Sequence, residues 1–307
     1  MTIKKSPDSP IIFFGTDAFS VPSLVRLMAE GWNVVAVVTK PDSPTGRGRV
    51  LTAPAVKRLA EANGITVFQP AKLSDLELKI TQLDAAIGIV VAYGKIIPPS
   101  LLKLFPYGLL NVHGSLLPRY RGASPIEACI LAGDEETGVT LMKLEAGLDT
   151  GPTYDTAKIQ LDGTETRESL YERLSELGAD LLGIQLPAIL RDQVVPLPQN
   201  NAEATTVGRI NKSDGYIDWA KPAIALEREI RAYLGWPSSR TQIAGVDITI
   251  TSAHTGTASG PTGTPYKTEA GELAIYAGTG SLVIDTLKPD GKREMPASDF
   301  LAGHPLS

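Results

Sequence analysis

Continuous apolar runs alternate with helical stripes along the first 190 residues. Residues 10–16 (Pro-Ile-Ile-Phe-Phe-Gly-Thr) are apolar up to a closing glycine, as expected of a strand buried on both faces. Val21, Leu24, Val25, Leu27 and Met28 then recur at helical spacing. Residues 33–39 (Asn-Val-Val-Ala-Val-Val-Thr) predict a second strand, so the chain opens on a βαβ unit. The same alternation predicts helices over 54–63, 75–82, 99–104 and 126–132, and strands over 66–69, 85–92, 138–144 and 153–161, with 108–110 leading into another. Leu170, Leu174, Leu177, Leu181, Leu182 and Leu186 mark a long helix over 166–190. The pattern is that of an α/β domain, a mostly parallel sheet with helices on its faces.

Beyond residue 190 the pattern changes. Residues 194–206 are rich in Pro, Asn and Gln and read as a linker. A single helix is expected over 222–233. Short strands follow over 241–243, 246–252, 263–268, 272–276 and 281–287, separated by Gly- and Pro-rich turns, which suggests a small β-barrel. The expected organisation is a first domain over 1–190, a linker over 191–207 and a smaller barrel domain over 208–307.

Composition narrows the classes. No apolar run reaches the ~18 residues of a membrane span, and Met1 to Pro10 fits neither a secretory signal nor a transit peptide. Cys129 is the single cysteine, which excludes an internal disulfide and a cysteine-cluster metal site; a reducing cytoplasm suits such a chain. The net charge of −5 argues against a large nucleic-acid footprint. Locally, however, Lys40, Arg47, Arg49, Lys57 and Arg58 are opposed only by Asp42, in a long Pro- and Gly-containing loop over 40–53 and the helix after it.

Candidate chemistry concentrates after residue 110. Asn111, His113 and Ser115 occupy alternate positions, which share one face if strand geometry persists. Asn-x-His alone is also what a turn-capping asparagine and a carbonyl-bonded structural histidine would look like. The turn at Gly15 lacks the G-x-G-x-x-G of a dinucleotide site, and Gly46-Arg47-Gly48-Arg49 is not followed by the Lys-Ser/Thr of a P-loop. The chain has no cluster of His and Cys at metal-ligand spacing and no Gly-x-Ser-x-Gly nucleophile elbow. Direct acyl transfer to an amine needs neither. It needs donors for the oxyanion and a carboxylate to manage the amine proton. Asn111, His113 and Asp149 supply that set if the glycine-flanked loop 147–151 folds back over the strand end.

The segment Asn111-x-His113-x-Ser115-Leu116-Leu117-Pro118-x-x-Arg121-Gly122-x-x-Pro125 resembles the signature of the folate-dependent formyltransferases, and Leu148-Asp149-Thr150-Gly151 resembles the loop carrying their aspartate. Phe14-Gly15-Thr16 with Phe19-Ser20, the loop Lys40 to Arg49, Ile210-Asn211-Lys212-Ser213-Asp214 with Ile217-Asp218-Trp219, and Trp236-Pro237 are similar to the tRNA-acting branch, the methionyl-tRNA formyltransferases. The resemblance implies a Rossmann-like catalytic domain and an OB-like C-terminal domain that binds tRNA. It implies formyl transfer from 10-formyltetrahydrofolate to the methionine amine of initiator methionyl-tRNA, without a metal, by a cytoplasmic monomer. It assigns Asn111 to the formyl oxygen, His113 to the oxyanion and leaving nitrogen, and Asp149 to orienting His113 and a proton-relaying water. Ser115, Leu116, Leu117 and Pro118, with Tyr93, Gly94, Lys95, Ile96 and Ile97, would line the folate site, and Arg47, supported by Lys40 and Arg49, would meet tRNA. Other members of the superfamily, acting on sugar nucleotides or glycinamide ribonucleotide or hydrolysing the folate, are the alternatives. A non-catalytic nucleic-acid-binding module is the reading from another class. One feature departs from the family: residues 208–307 hold ten Lys and Arg against eleven Asp and Glu, where a basic surface is expected.

Overall fold

A computed structural model describes residues 8–45 and 48–306. Seven strands form one sheet in the spatial order Thr153–Gln160, Glu136–Lys143, Leu109–His113, Ile87–Val91, Ile11–Gly15, Val34–Val38, Thr66–Phe68. The five strands from Leu109–His113 to Thr66–Phe68 run parallel, and Glu136–Lys143 joins antiparallel to Leu109–His113. The strands Ile11–Gly15 and Ile87–Val91 are wholly buried, which is why they read as unbroken apolar runs. From Ile11–Gly15 the chain winds outward through two strands, then returns to its other side at Ile87–Val91. The order therefore reverses between those two strands, and it is outside the carboxyl ends at such a reversal that ligands of open α/β sheets bind.

The C-terminal sheet is antiparallel, in the order Ser239–Ile243, Val246–Gly256, Ser281–Pro289, Leu273–Tyr276, Pro265–Lys267, with Met295–Pro296 added to Ser281–Pro289. Among the described residues its outer strands do not pair with each other, so it is an open half-barrel. Helix Ala223–Ala232 supplies Leu226 and Ile230 to its core, and Ala297–Gly303 supplies Phe300 and Leu301. That last helix and its preceding strand were not expected, because two and seven residues are too few to set a period. Val246–Gly256 extends four residues past the expected end: register shifts beside Ser252 break the alternation that would have marked the rest.

The chain divides into two compact units, and the division is not the single cut expected near 190–208. Residues up to Pro125, Glu136–Ile159 and Tyr171–Val207 form one; Ile126–Glu135, Gln160–Leu170 and Gly208–Ser307 form the other. Hydrogen bonds within the second unit account for its two early segments. Arg228 donates to Ala132 O at 3.0 Å, Arg231 to Glu165 O at 2.8 Å, and Arg167 pairs with Glu127 at 2.8 Å. Within the stretch read as a loop over 40–53, Ser43–Thr45 and Val50–Thr52 are strands that pair antiparallel. Its prolines and glycines masked the β-prone Val50-Leu51-Thr52.

Candidate active site

Strand Leu109–His113 places Asn111 opposite Val90 and Met142, and His113 opposite Thr140. Two residues apart, Asn111 and His113 emerge on the same face. The strand ends at His113, so the alternation does not carry on to Ser115. Ser115 is fully buried and its Oγ donates to Arg119 O at 2.7 Å, which makes it the pin of its own turn. Thr140, a residue the sequence reading did not select, anchors that turn from the neighbouring strand. Its hydroxyl donates to Ser115 O at 2.7 Å and accepts from Leu117 N at 3.0 Å. Leu116, Leu117 and Pro118 remain half-buried beyond it.

His113 and Asp149 come together across 36 residues of sequence. Nδ1 of His113 lies 3.7 Å from Oδ2 of Asp149, with side chains only 7% and 13% exposed. Nε2 contacts the Tyr120 carbonyl at 3.0 Å. A carbonyl only accepts, so Nε2 carries a proton. The two ring nitrogens thus face acceptor oxygens, and the proton on Nε2 is one that the ring can give to a leaving nitrogen. The carbonyl contact expected of a structural histidine is present, and the buried carboxylate is present beside it.

Asp149 sits in the left-handed region at φ 52°, which Asp and Asn tolerate better than other non-glycine residues. Its Oδ2 accepts from the backbone N–H of Gly122 at 2.8 Å. Gly122 has φ 121°, and a Cβ there would collide with Val207 O, so no other residue offers its N–H at this point without displacing the chain. Val207 belongs to a segment that is no free linker. Thr206–Val207 forms a parallel ladder with Arg121–Gly122, and Tyr120 N donates to Thr205 Oγ1 at 2.8 Å. Asn111 is half-buried, and its side-chain amide forms no hydrogen bond among the described residues, so its donor and acceptor are available to a ligand.

At the reversal point Thr16 ties three strand ends. Its Oγ1 donates to Tyr93 O at 3.1 Å, accepts from Lys40 N at 3.3 Å, and lies 3.4 Å from Thr39 Oγ1. Tyr93 and Ile97 are buried in the core beneath. Burial pushes the Tyr93 phenol up to about 12, and its hydroxyl has no partner among the described residues. Gly94 turns the chain at φ 69°, Lys95 Nζ donates to Pro70 O at 3.0 Å, and Ile96 is 92% exposed. Of these five residues Tyr93 and Ile97 are buried, Lys95 is half-buried, and Gly94 and Ile96 are exposed.

The basic cluster is smaller than its sequence count. Asp42 pairs with Lys57 at 2.9 Å and accepts from Gln69 at 2.7 Å; the Gln69 amide and the Lys57 ammonium hold its carboxyl below the usual range. Arg58 donates to Ala53 O at 2.8 Å. Arg49 is exposed at φ 48°, Lys40 is half-buried, and Arg47 lies outside the described residues. In the C-terminal sheet, Arg240 and Lys288 both stand in register with Thr249, one on each side, on the face opposite the buried Ile248 and Ile250. Among the described residues no group of three or more His, Cys, Asp or Glu side chains could hold a metal ion. None of the described helices is long and apolar enough to cross a membrane.

Residues 10–184 match the formyl transferase family, and residues 209–305 match the formyl transferase C-terminal domain. The chain is 43% identical to the methionyl-tRNA formyltransferase of Myxococcus xanthus over 299 residues, covering 97% of this chain and 96% of that one. It is 41% identical to the methionyl-tRNA formyltransferase of Trichlorobacter lovleyi, covering 97% and 95%. In fold it is similar to an N-formyltransferase from Helicobacter canadensis, solved with folinic acid and dTDP-3-aminofucose. There the TM-score is 0.70 at 21% identity, covering 94% of this chain and 100% of that one. With both its halves matched and its full-length relatives so named, the chain belongs to the methionyl-tRNA formyltransferase family of folate-dependent formyltransferases.

Proposed function

We propose that the chain transfers the formyl group of 10-formyltetrahydrofolate to the α-amine of methionine on initiator methionyl-tRNA. The observation that carries this reading is the assembly of Asn111, His113 and Asp149 at one strand end, in a chain alike over 97% of its length to proteins named for that reaction. In the proposed step the amine nitrogen attacks the formyl carbon, a new C–N bond forms, and the bond from that carbon to the folate nitrogen breaks. Negative charge gathers on the formyl oxygen, and the unpartnered Asn111 amide with His113 supplies donors for it. Asp149 holds His113 and a water that takes the amine proton, while the imidazole returns a proton to the leaving nitrogen. Proton delivery from Nε2 exchanges its Tyr120 contact for the substrate.

The folate enters a crevice at the reversal point. Leu116, Leu117 and Pro118 line it on one side, with Ser115 holding their turn. Tyr93 and Ile97 form its floor, and Gly94, Lys95 and Ile96 its rim. The neutral, unpartnered Tyr93 hydroxyl is a buried donor in that floor. The acceptor RNA is met by Lys40, Arg47 and Arg49, and by the Arg240–Thr249–Lys288 row of the C-terminal domain, whose cations form no ion pair among the described residues. This supplies a local basic strip in a near-neutral domain. The protein acts in the cytoplasm as a monomer.

Arg47→Ala is expected to raise KM for methionyl-tRNA at least severalfold with KM for the folate unchanged. An effect on folate alone would contradict the loop's assignment. The Arg240→Ala/Lys288→Ala double variant should behave likewise, and should flatten the dependence of log affinity on log salt by about 1–2 as phosphate contacts are lost. Equal salt slopes for variant and parent would remove that row from the interface. The acceptor is tested with 10-formyltetrahydrofolate and three amines in parallel: methionyl-initiator tRNA, methionyl-elongator tRNA and glycinamide ribonucleotide. Formylation of the initiator tRNA far above the other two is the expected result, and preference for glycinamide ribonucleotide overturns the reading.

A further inference from the structure

The segment before the C-terminal domain carries a side chain that grips the aspartate loop. Gln199 Nε2 donates to Asp149 O at 2.8 Å and to Gly151 O at 2.7 Å. Its Oε1 accepts from Arg121 Nε at 3.0 Å and Nη2 at 2.8 Å. Two carbonyls accept and a guanidinium donates, so the amide has a single orientation, with both N–H groups and both lone pairs used. Arg121 is buried and its Nη2 also donates to Asn201 Oδ1 at 2.8 Å, which fixes the guanidinium from the same segment. Downstream, Thr153 and Leu197 exchange two backbone hydrogen bonds of 2.8 Å.

The loop needs such support. Asp149 holds a left-handed backbone, and at Gly151 a Cβ would collide with Lys143 O, so the chain passes close to the strand there. Gly122, which orients the Asp149 carboxylate, directly follows Arg121. One amide thus links the backbone of Asp149 to the residue beside its carboxylate donor. We propose that Gln199 is a positioning residue for formyl transfer, acting through Asp149 by fixing the 149–151 backbone so that the carboxylate faces His113. The inference rests on the role given to Asp149 above, and it makes a stretch whose composition reads as a linker part of the reaction machinery.

The test compares Gln199→Ala, Gln199→Glu and Asn200→Ala with the parent. Asn200 caps the adjoining turn through Ala202 N and serves as a control for disturbance of the segment. Gln199→Glu keeps an acceptor for Arg121 but sets a carboxylate against two carbonyls. Single-turnover rates, KM values and melting temperatures are measured with 10-formyltetrahydrofolate and methionyl-tRNA. Both Gln199 variants are expected to slow transfer about 10- to 100-fold, the scale of a small misplacement at a reacting centre, with KM values within about twofold. Gln199→Glu, still paired with Arg121, should fold with a melting temperature no lower than that of Gln199→Ala, and Asn200→Ala should keep the parent's rate. In an Asp149→Asn background, Gln199→Ala should slow the residual rate by less than about twofold, because neighbours acting through one group are not additive. Parental rates in the Gln199 variants, full additivity with Asp149→Asn, or equal loss in Asn200→Ala overturn the proposal. If Asp149→Asn itself turns over like the parent, it is the role of Asp149 that fails.

Discussion

His113→Ala is expected to lower the single-turnover rate of formyl transfer by at least about 10²-fold, the usual consequence of removing one oxyanion donor, with further loss because the leaving nitrogen also loses its proton source. Folate affinity should change little, since the ring is almost buried and its nitrogens already face Tyr120 O and Asp149. Removing it leaves a void and an unpaired Tyr120 carbonyl, which together cost about 1–3 kcal/mol of stability. The variant is therefore expected to fold with a modestly lowered melting temperature. Stopped-flow or quench kinetics with enzyme in excess separate the chemical step from binding.

Asp149→Asn is expected to be as damaging, by about 10²–10⁴-fold in the same rate, while leaving the fold almost unperturbed. Asparagine accepts the φ 52° backbone, and its side-chain oxygen can still accept from the Gly122 N–H, so geometry survives and charge does not. What is lost is the anion that faces Nδ1 of His113 and that would hold the proton-relaying water. Alanine at the same position is a poorer test, because it strains the left-handed backbone and removes the charge together. A full rate in Asp149→Asn would show that the carboxylate's charge takes no part.

Much of this arrangement is legible in the residues. Ile11–Gly15 and Ile87–Val91 announce buried parallel strands because every position is apolar, and Asn111 with His113 stands out because two polar groups interrupt such a run at spacing two. The glycines around Asp149 mark a tight loop, although not where it folds. What escapes is whatever joins distant segments without a period. Thr140 reaches Ser115 across 25 residues, and Arg121 reaches Gln199 across 78, through single polar side chains in otherwise ordinary surroundings. A Pro-, Asn- and Gln-rich stretch looks like a linker because its hydrogen-bond partners lie elsewhere in the chain. Alternation overreached at Ser115, where the strand had already ended and the hydroxyl turned back to Arg119. Counting charge also overreached at Lys57, whose ammonium is matched by Asp42. In the C-terminal domain the opposite held: a balanced total concealed Arg240 and Lys288, brought into one row only by strand register.

Asn111, His113 and Asp149 are assigned the chemistry, and the remaining residues binding or positioning. The decisive measurement sets folate binding beside single-turnover transfer to methionyl-initiator tRNA in Asn111→Ala, His113→Ala and Asp149→Asn. The predicted result is near-parental binding of the folate with transfer slowed at least about 10²-fold in all three. Transfer at the parental rate in any of them, or a loss explained wholly by weakened folate binding, would contradict that assignment.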